Sequence, residues 1–342
     1  MRDFSSLEEI QTGVIRFLAS PVIANGHGSI YSWINPDHPG FVYPESMGLY
    51  LRLMSHLAST RKDKHLVDRV HAVAAGLQGL TPPSGGVGMA GNIFLFDTCM
   101  AVAGLTAYKR LVGGKLNMEK FSAMARFVEN MTRRRLALLD EAGGQPKVEH
   151  HWSTIYGAQM LKTVIALDSL ATETGERKYR SLAAEVGEEV EKGCLKEGAF
   201  RIGPTDTVVY CHAHCYALEG LLYLREKGYR DTTATLRIGA DRLSGWQNED
   251  GAMYNWYEDP SRNRAKVGDA SAQSVRIWLA VDREKYAREI DRGLGFLASL
   301  RAPESGGLYY AAGSRDVNSI TSIFAAQAME WYLRGAQPEW LA

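Results

Sequence analysis

The residues able to move protons or hold hydroxyl groups fall at six places along the 342-residue chain: Tyr43 and Glu45; Asn92 and Asp97; His150, His151 and Trp152; His212 and His214; Asp269; and Asn318. Glu45, Asp97 and Asp269 are carboxyl groups of the kind glycoside hydrolysis uses in pairs, one a raised-pKa acid and the other a base. His212, His214 and Tyr156 offer the other chemistry, a base that takes the proton beside a uronate carboxylate in elimination or epimerisation. Arg262 or Arg264 would then neutralise that carboxylate. Asp97, Asp269 and Asn318 also have types preferred as helix N-caps, so capping competes with catalysis there. Capping does not account for Glu45, inside an aromatic and apolar segment, nor for the histidines.

Around the histidines the sequence reads Tyr210-Cys211-His212-Ala213-His214-Cys215-Tyr216-Ala217-Leu218-Glu219-Gly220. On a helix His212, Cys215, Tyr216 and Glu219 share one face, and Cys211, His214 and Cys215 an adjacent one. The aromatic residues Trp33, Tyr43, Trp152, Tyr156, Tyr254, Trp256, Tyr257, Tyr309 and Tyr310 cluster in the segments leading into such helices. Amphipathic rings there suit sugar faces, and Trp33, Tyr43, His151, Trp152, Tyr254, Trp256, Asn318 and Tyr310 are the expected substrate-binding set.

Helices must position these groups. Six segments share a Gly-rich or aromatic lead-in, a polar residue and an apolar run, beginning near Tyr43, Phe96, Thr154, Tyr210, Asp269 and Ile320. The recurrence of about 55 residues is the length of two helices and two loops. Phe96–Leu111, Tyr210–Leu224 and Ile320–Leu333 are apolar almost all round, as helices covered on both sides must be. Leu7–Leu18, Lys62–Leu77, Met118–Leu138, Lys178–Lys192, Asp231–Leu243 and Arg283–Leu300 carry one apolar stripe. Six outer and six inner helices make an all-α (α/α)6 toroid, a single domain over residues 1–342 with very little strand. If the inner helices all run one way, their N-termini and lead-ins meet at one mouth.

Lys plus Arg and Asp plus Glu each number 39, so the net charge is zero and the clustered cations that bind nucleic acid are lacking. No run of about 18 uncharged apolar residues suggests a membrane span. The acidic start differs from a secretory leader, and Cys99, Cys194, Cys211 and Cys215 are too sparse for a disulfide framework. A cytoplasmic protein is expected.

Two resemblances follow. Tyr43-Pro44-Glu45-Ser46-Met47-Gly48-Leu49-Tyr50, Gly85-Gly86 before Phe96-Asp97-Thr98 and Gly104-Leu105, and His214 through Gly220-Leu221-Leu222 resemble the helical toroid of D-glucuronyl C5-epimerase-like proteins and the six-hairpin glycosidases. Cys99 and Met100 depart from that pattern. The resemblance implies a carbohydrate- or uronate-directed mouth with no cofactor. Asp97-Thr98-Cys99 and the later His-Cys-Tyr-x-Leu-x-Gly-Leu are similar to the zinc ligands of protein prenyltransferase β subunits, implying zinc on Asp97, Cys99 and His212 or His214. Gln247-Asn248-Glu249-Asp250-Gly251 is similar to a terpene-cyclase turn, which implies isoprenoid chemistry. A saccharide-binding toroid without catalysis is the third possibility. The partner in the leading reading is a small-molecule or oligosaccharide substrate.

Overall fold

Segments with one apolar stripe form the outer layer, and segments apolar all round form the inner one. A computed structural model describes residues 4–140, 143–144, 152–259, 261–262 and 264–342. The outer helices are α1 (Phe4–Ala19), α3 (Lys64–Leu80), α5 (Met118–Arg134), α7 (Lys178–Cys194), α9 (Thr233–Trp246) and α11 (Ala287–Ser299). The inner helices are α2 (Pro44–Arg61), α4 (Leu95–Val112), α6 (Val164–Thr174), α8 (Cys211–Glu226), α10 (Gly268–Asp282) and α12 (Ser319–Arg334). A 3-10 stretch, Ala158–Thr163, runs straight into α6. Each inner helix packs on the next and α12 packs on α2, so the inner ring closes, while α1 packs on α12 from outside. The architecture is an (α/α)6 toroid.

The inner helices carry the core. Leu49, Tyr50, Leu51, Met100, Val102, Leu218, Leu221, Ile277, Trp278 and Phe324 are fully buried. Each such aliphatic side chain contributes roughly 1.5–3 kcal/mol relative to exposure. The sequence places two boundaries differently. Met118–Leu138 is helical only to Arg134, because Leu138–Asp140 pairs as an edge strand with Asn92–Phe94. The third inner helix starts at Ala158 rather than near Thr154, after Gly157, whose Cα approaches the Ile202 carbonyl so closely that no side chain fits.

Short antiparallel pairs lace the lead-ins around one mouth. Trp33–Ile34 pairs with Val317–Asn318 and joins the first hairpin to the sixth, while Val209–Tyr210 pairs with Trp256–Tyr257 and joins the fourth to the fifth. A second device repeats beneath them. In four hairpins a left-handed glycine opens the turn: Gly85, Gly198, Gly251 and Gly306. Two residues on, a backbone N–H donates to the side chain at the fourth position of the inner helix. Val87 bonds Thr98 (3.0 Å), Phe200 bonds His214 Nδ1 (3.0 Å), Met253 bonds Ser271 (2.9 Å) and Leu308 bonds Ser322 (3.0 Å). The three hydroxyls also donate to the carbonyl of their own N-cap residue, so each fastens lead-in to helix. The turn around Gln247–Gly251 belongs to this set, with the Gly251 N–H bonded to the Asn248 carbonyl.

Candidate functional site

Three candidate side chains stand at the same place in three helices. With Tyr43, Tyr210 and Val267 as N-caps, Glu45, His212 and Asp269 are each the second residue of their helix. Asp97 is the third residue of α4, whose N-cap is Phe94. None of these N-cap side chains makes a capping bond. Asn318 does cap, accepting from the Thr321 N–H at 2.8 Å, so the competing structural role holds there and not at Asp97.

Glu45 is the hub. Tyr216 donates its hydroxyl to Glu45 Oε1 at 2.6 Å, and Tyr43 donates to Oε2. The His212 ring lies 4.2 Å from that of Tyr216, and its Nδ1 is 3.6 Å from Asp269 Oδ2. Asp269 Oδ1 accepts from the Ala270 N–H at 2.6 Å. Phe96 packs on Tyr216 at 4.8 Å. Tyr210 hydrogen-bonds Tyr310, and both feel the charge of Asp269.

Burial sets the protonation states. It is the largest influence on all three carboxyls and pushes each above the usual carboxylate range. The two phenol hydrogen bonds and the Lys162 charge draw Glu45 back. Asp97 has only a backbone hydrogen bond to offset burial, and the Glu45 charge pushes it up further, to well above 3.8. Its Oδ2 is buried without a hydrogen-bond partner among the described residues. Asp269 is raised to about 7, by burial first and partly offset by backbone N–H groups. His212 is lowered to about 3 by burial and by the charge of Lys162, and so is a neutral imidazole.

A charged layer underlies this aromatic and acidic one. Lys162 Nζ donates to Glu219 Oε2 (2.8 Å) and to the Ala342 carbonyl (2.5 Å), and sits 4.4 Å from the Tyr216 ring centroid. Arg276 bonds Glu219 and Gln327 and lies 4.1 Å from the Phe324 ring. Arg52 holds the Leu341 carbonyl at 2.5 Å, so the segment Pro338–Ala342 backs the layer. Lys162, Arg276 and Arg52 are not among the residues expected at the site. Their signal was a lone cation inside an otherwise apolar stretch, since a buried charge persists only where paired.

His214 does not join the cluster. Its Nδ1 accepts the Phe200 N–H, its ring lies 5.4 Å from that of Trp246, and burial lowers its pKa to about 3. It fills the place that Thr98, Ser271 and Ser322 fill in other hairpins. The proposed zinc set Asp97, Cys99 and His214 is therefore not assembled. Cys99 is fully buried with its thiol pushed up by burial, and among the described residues no three His, Cys, Asp or Glu side chains gather in a metal-binding group. Tyr156 stands apart, toward the α5 and α7 side, with Arg135 5.9 Å from its ring centroid and Arg135 paired to Glu189 at 2.5 Å.

The rim residues are half-buried. Trp33 donates from Nε1 to His38 at 3.1 Å and meets Phe41, which meets Tyr43 in turn. The Trp256 ring packs tilted against Tyr210 at 4.6 Å with the Arg262 guanidinium 4.2 Å from its centroid, and Arg264 lies 5.7 Å from the Tyr254 ring. His151 and the side chain of Trp152 lie outside the described residues.

The fold has counterparts among solved structures. A sugar epimerase from a ruminal bacterium superposes with a TM-score of 0.77 at 13% identity, over 97% of this chain and 99% of that one. Cellobiose 2-epimerase from Bacillus thermoamylovorans B4167 gives 0.75 at 11% identity, over 95% and 99%. Unsaturated glucuronyl hydrolase from Bacillus sp. GL1 gives 0.69 at 14% identity, over 99% of both chains. What they share with this chain is the fold. Neither a family model nor a curated protein matches the sequence. Among the described residues no helix is long and apolar enough to cross a membrane.

Proposed function

We propose that this protein is a carbohydrate-active enzyme that carries out acid–base chemistry on a saccharide held in the toroid mouth. The observation that carries this reading is the contrast between two neighbouring carboxyls. Burial raises both, but both oxygens of Glu45 accept phenol hydrogen bonds that draw it back down, whereas Asp97 Oδ2 is buried with no partner among the described residues and its pKa is raised well above the usual carboxylate value. Environments that drive two carboxyls apart define an acid and a base. Asp97 is the proton donor, and Glu45 is the charged partner that activates water or steadies developing positive charge. The aromatic rim supplies the sugar platform. The toroid neighbours support the substrate class, since they include sugar epimerases, a glucuronyl hydrolase and a mannose isomerase. Four buried thiols, none of them in a disulfide, support a cytoplasmic setting.

Hydrolysis is the first reading. One observation favours epimerisation or isomerisation as a second: the neutral His212 faces Asp269 at 3.6 Å, a base with a carboxylate to orient it. One experiment separates them. The protein is incubated in deuterium oxide with cellobiose, mannose and an unsaturated glucuronyl disaccharide, and the products are followed by NMR. Glycosidic cleavage without ring deuterium supports hydrolysis, and deuterium at C2 supports the His212 reading. No change in any saccharide, with Asp97→Asn indistinguishable from wild type, removes the enzyme assignment.

A further inference from the structure

The reaction proposed above gives no role to Lys162, a fully buried cation of the 3-10 stretch Ala158–Thr163. Gly220 of α8 lies so close to the Leu161 carbonyl and the Lys162 nitrogen that no side chain fits, and this approach brings Lys162 against α8. An ammonium carries three donors. Two acceptors engage Nζ, Glu219 Oε2 at 2.8 Å and the Ala342 carbonyl at 2.5 Å. It also meets two rings, with the centroid of Tyr216 4.4 Å away and that of Phe324 5.1 Å away. Tyr216 continues the chain of contacts to the mouth, because its hydroxyl donates to Glu45 Oε1 at 2.6 Å. Glu219, Lys162, Tyr216 and Glu45 thus form one connected series from the basal layer to the candidate site.

We propose that Lys162 is a positioning residue for Glu45: acting through the Tyr216 ring and hydroxyl, it holds that carboxyl in its charged form, an inference that rests on the role given to Glu45 above. A cation over a phenol ring polarises it and makes the hydroxyl a stronger donor. Tyr43 donates to the other oxygen, so the two phenols offer Glu45 two donors, which suits a carboxylate. The Lys162 charge also acts on Glu45 directly across the ring, in the same sense. Among the described residues, the titratable groups that bear on Glu45 are Tyr43 beside it, Asp97 on α4, Tyr216 on α8, Asp269 on α10 and Lys162. Lys162 is the cation of that set, and when ionised the two aspartates oppose it. The groups that bear on Lys162 itself are Glu45, Glu219, Arg276 and His212.

Carboxyl 13C NMR of the full chain, with the Glu45 signal assigned by Glu45→Gln, follows the titration directly. Lys162→Gln keeps a donor for Glu219 and the Ala342 carbonyl but carries no charge, and it should raise the Glu45 pKa by about one unit. Lys162→Arg keeps the charge and should return the titration to that of wild type. The acid limb of the pH–rate profile should move to higher pH by the same amount in Lys162→Gln and not in Lys162→Arg. Thermal melts establish which variants are folded. Should no Lys162 variant fold, Glu45→Gln decides the matter from the other side, because the coupling is reciprocal. The lysine that titrates near pH 8, read by 15N NMR, should then fall by about one unit when the Glu45 charge is removed. A Lys162 of merely structural role would lower stability and leave Glu45 unmoved. An unmoved Glu45 in Lys162→Gln, an equal shift in Lys162→Arg, or a Lys162 indifferent to Glu45→Gln overturns the inference. Saccharide turnover with an unmoved Glu45 overturns this inference alone, whereas a shifted Glu45 with no saccharide turned over leaves the coupling standing and removes the enzyme assignment.

Discussion

His214 Nδ1 lies 3.0 Å from the Phe200 backbone nitrogen, and this bond occupies the position at which Thr98 bonds Val87 two hairpins earlier. His214 is thus a clamp between lead-in and helix, whereas His212, two residues before it, faces Asp269. His214→Ala should leave a buried N–H unsatisfied and lower stability by about 1–3 kcal/mol, with the pH dependence of turnover unchanged. His214→Asn, whose Oδ1 can accept the same N–H, should restore most of the loss. Chemical denaturation and a pH–rate profile check both. A profile altered by His214→Asn would return this residue to the reaction.

Asp97→Asn should reduce kcat by at least about 100-fold, the usual contribution of a positioned general acid. Stability should hold or rise, because an uncharged amide replaces a carboxyl that burial disfavours in its ionised form. Melting curves with single-turnover kinetics decide it, and turnover close to wild type would exclude Asp97 as the donor.

Asp269 makes stability depend on pH with a definite sign. Its folded pKa, about 7, stands above the 3.8 of the unfolded chain, so its contribution is fully present below about pH 4 and is lost as pH rises to 7. Asp269→Asn should therefore gain stability over wild type across this window, reaching a few kcal/mol above pH 7. His212 and His214 act oppositely: both are lowered to about 3, so their contribution is present above pH 6.5 and is lost as pH falls toward 3. Urea midpoints of wild type and Asp269→Asn between pH 4 and 8 isolate the carboxyl. A pH-independent difference between the two would contradict the assignment.

Gly251 has φ +90°, and a Cβ there would stand 2.1 Å from the Arg292 carbonyl oxygen. Gly251→Ala should lose at least about 2 kcal/mol, since backbone strain and backbone contact add. Gly313 has φ +81° but open space around it, so Gly313→Ala should cost only about 1 kcal/mol. Equal melting temperatures for the two variants would show that the close approach to α11 does not matter.

Glu219 is fully buried between Lys162 and Arg276. Glu219→Gln should destabilise by about 3–5 kcal/mol, because two cations lose their counter-charge in a site that water does not reach. Guanidinium denaturation measures it, and a loss under 1 kcal/mol would mean the layer is hydrated.

The toroid was legible from the chain because covered helices and half-covered helices demand different residue patterns, and the two patterns alternate six times. That Glu45, Asp97 and Asp269 stand at inner-helix starts was legible too, because each follows a lead-in at the beginning of a helical segment. The basal cations Lys162 and Arg276 were not, because their value depends on Glu219, a partner 57 residues away from each.

By itself, then, the order of residues determined the layers, the mouth and the acids that reach it. Which histidine faces Asp269 was decided only by tertiary structure. Residues two apart on a helix point about 200° away from one another, so one of the pair must face the lumen and the other the outer layer. Nothing local distinguishes them; the lead-in that bonds Phe200 to His214 fixes the rotation of α8, and that rotation leaves His212 beside Asp269.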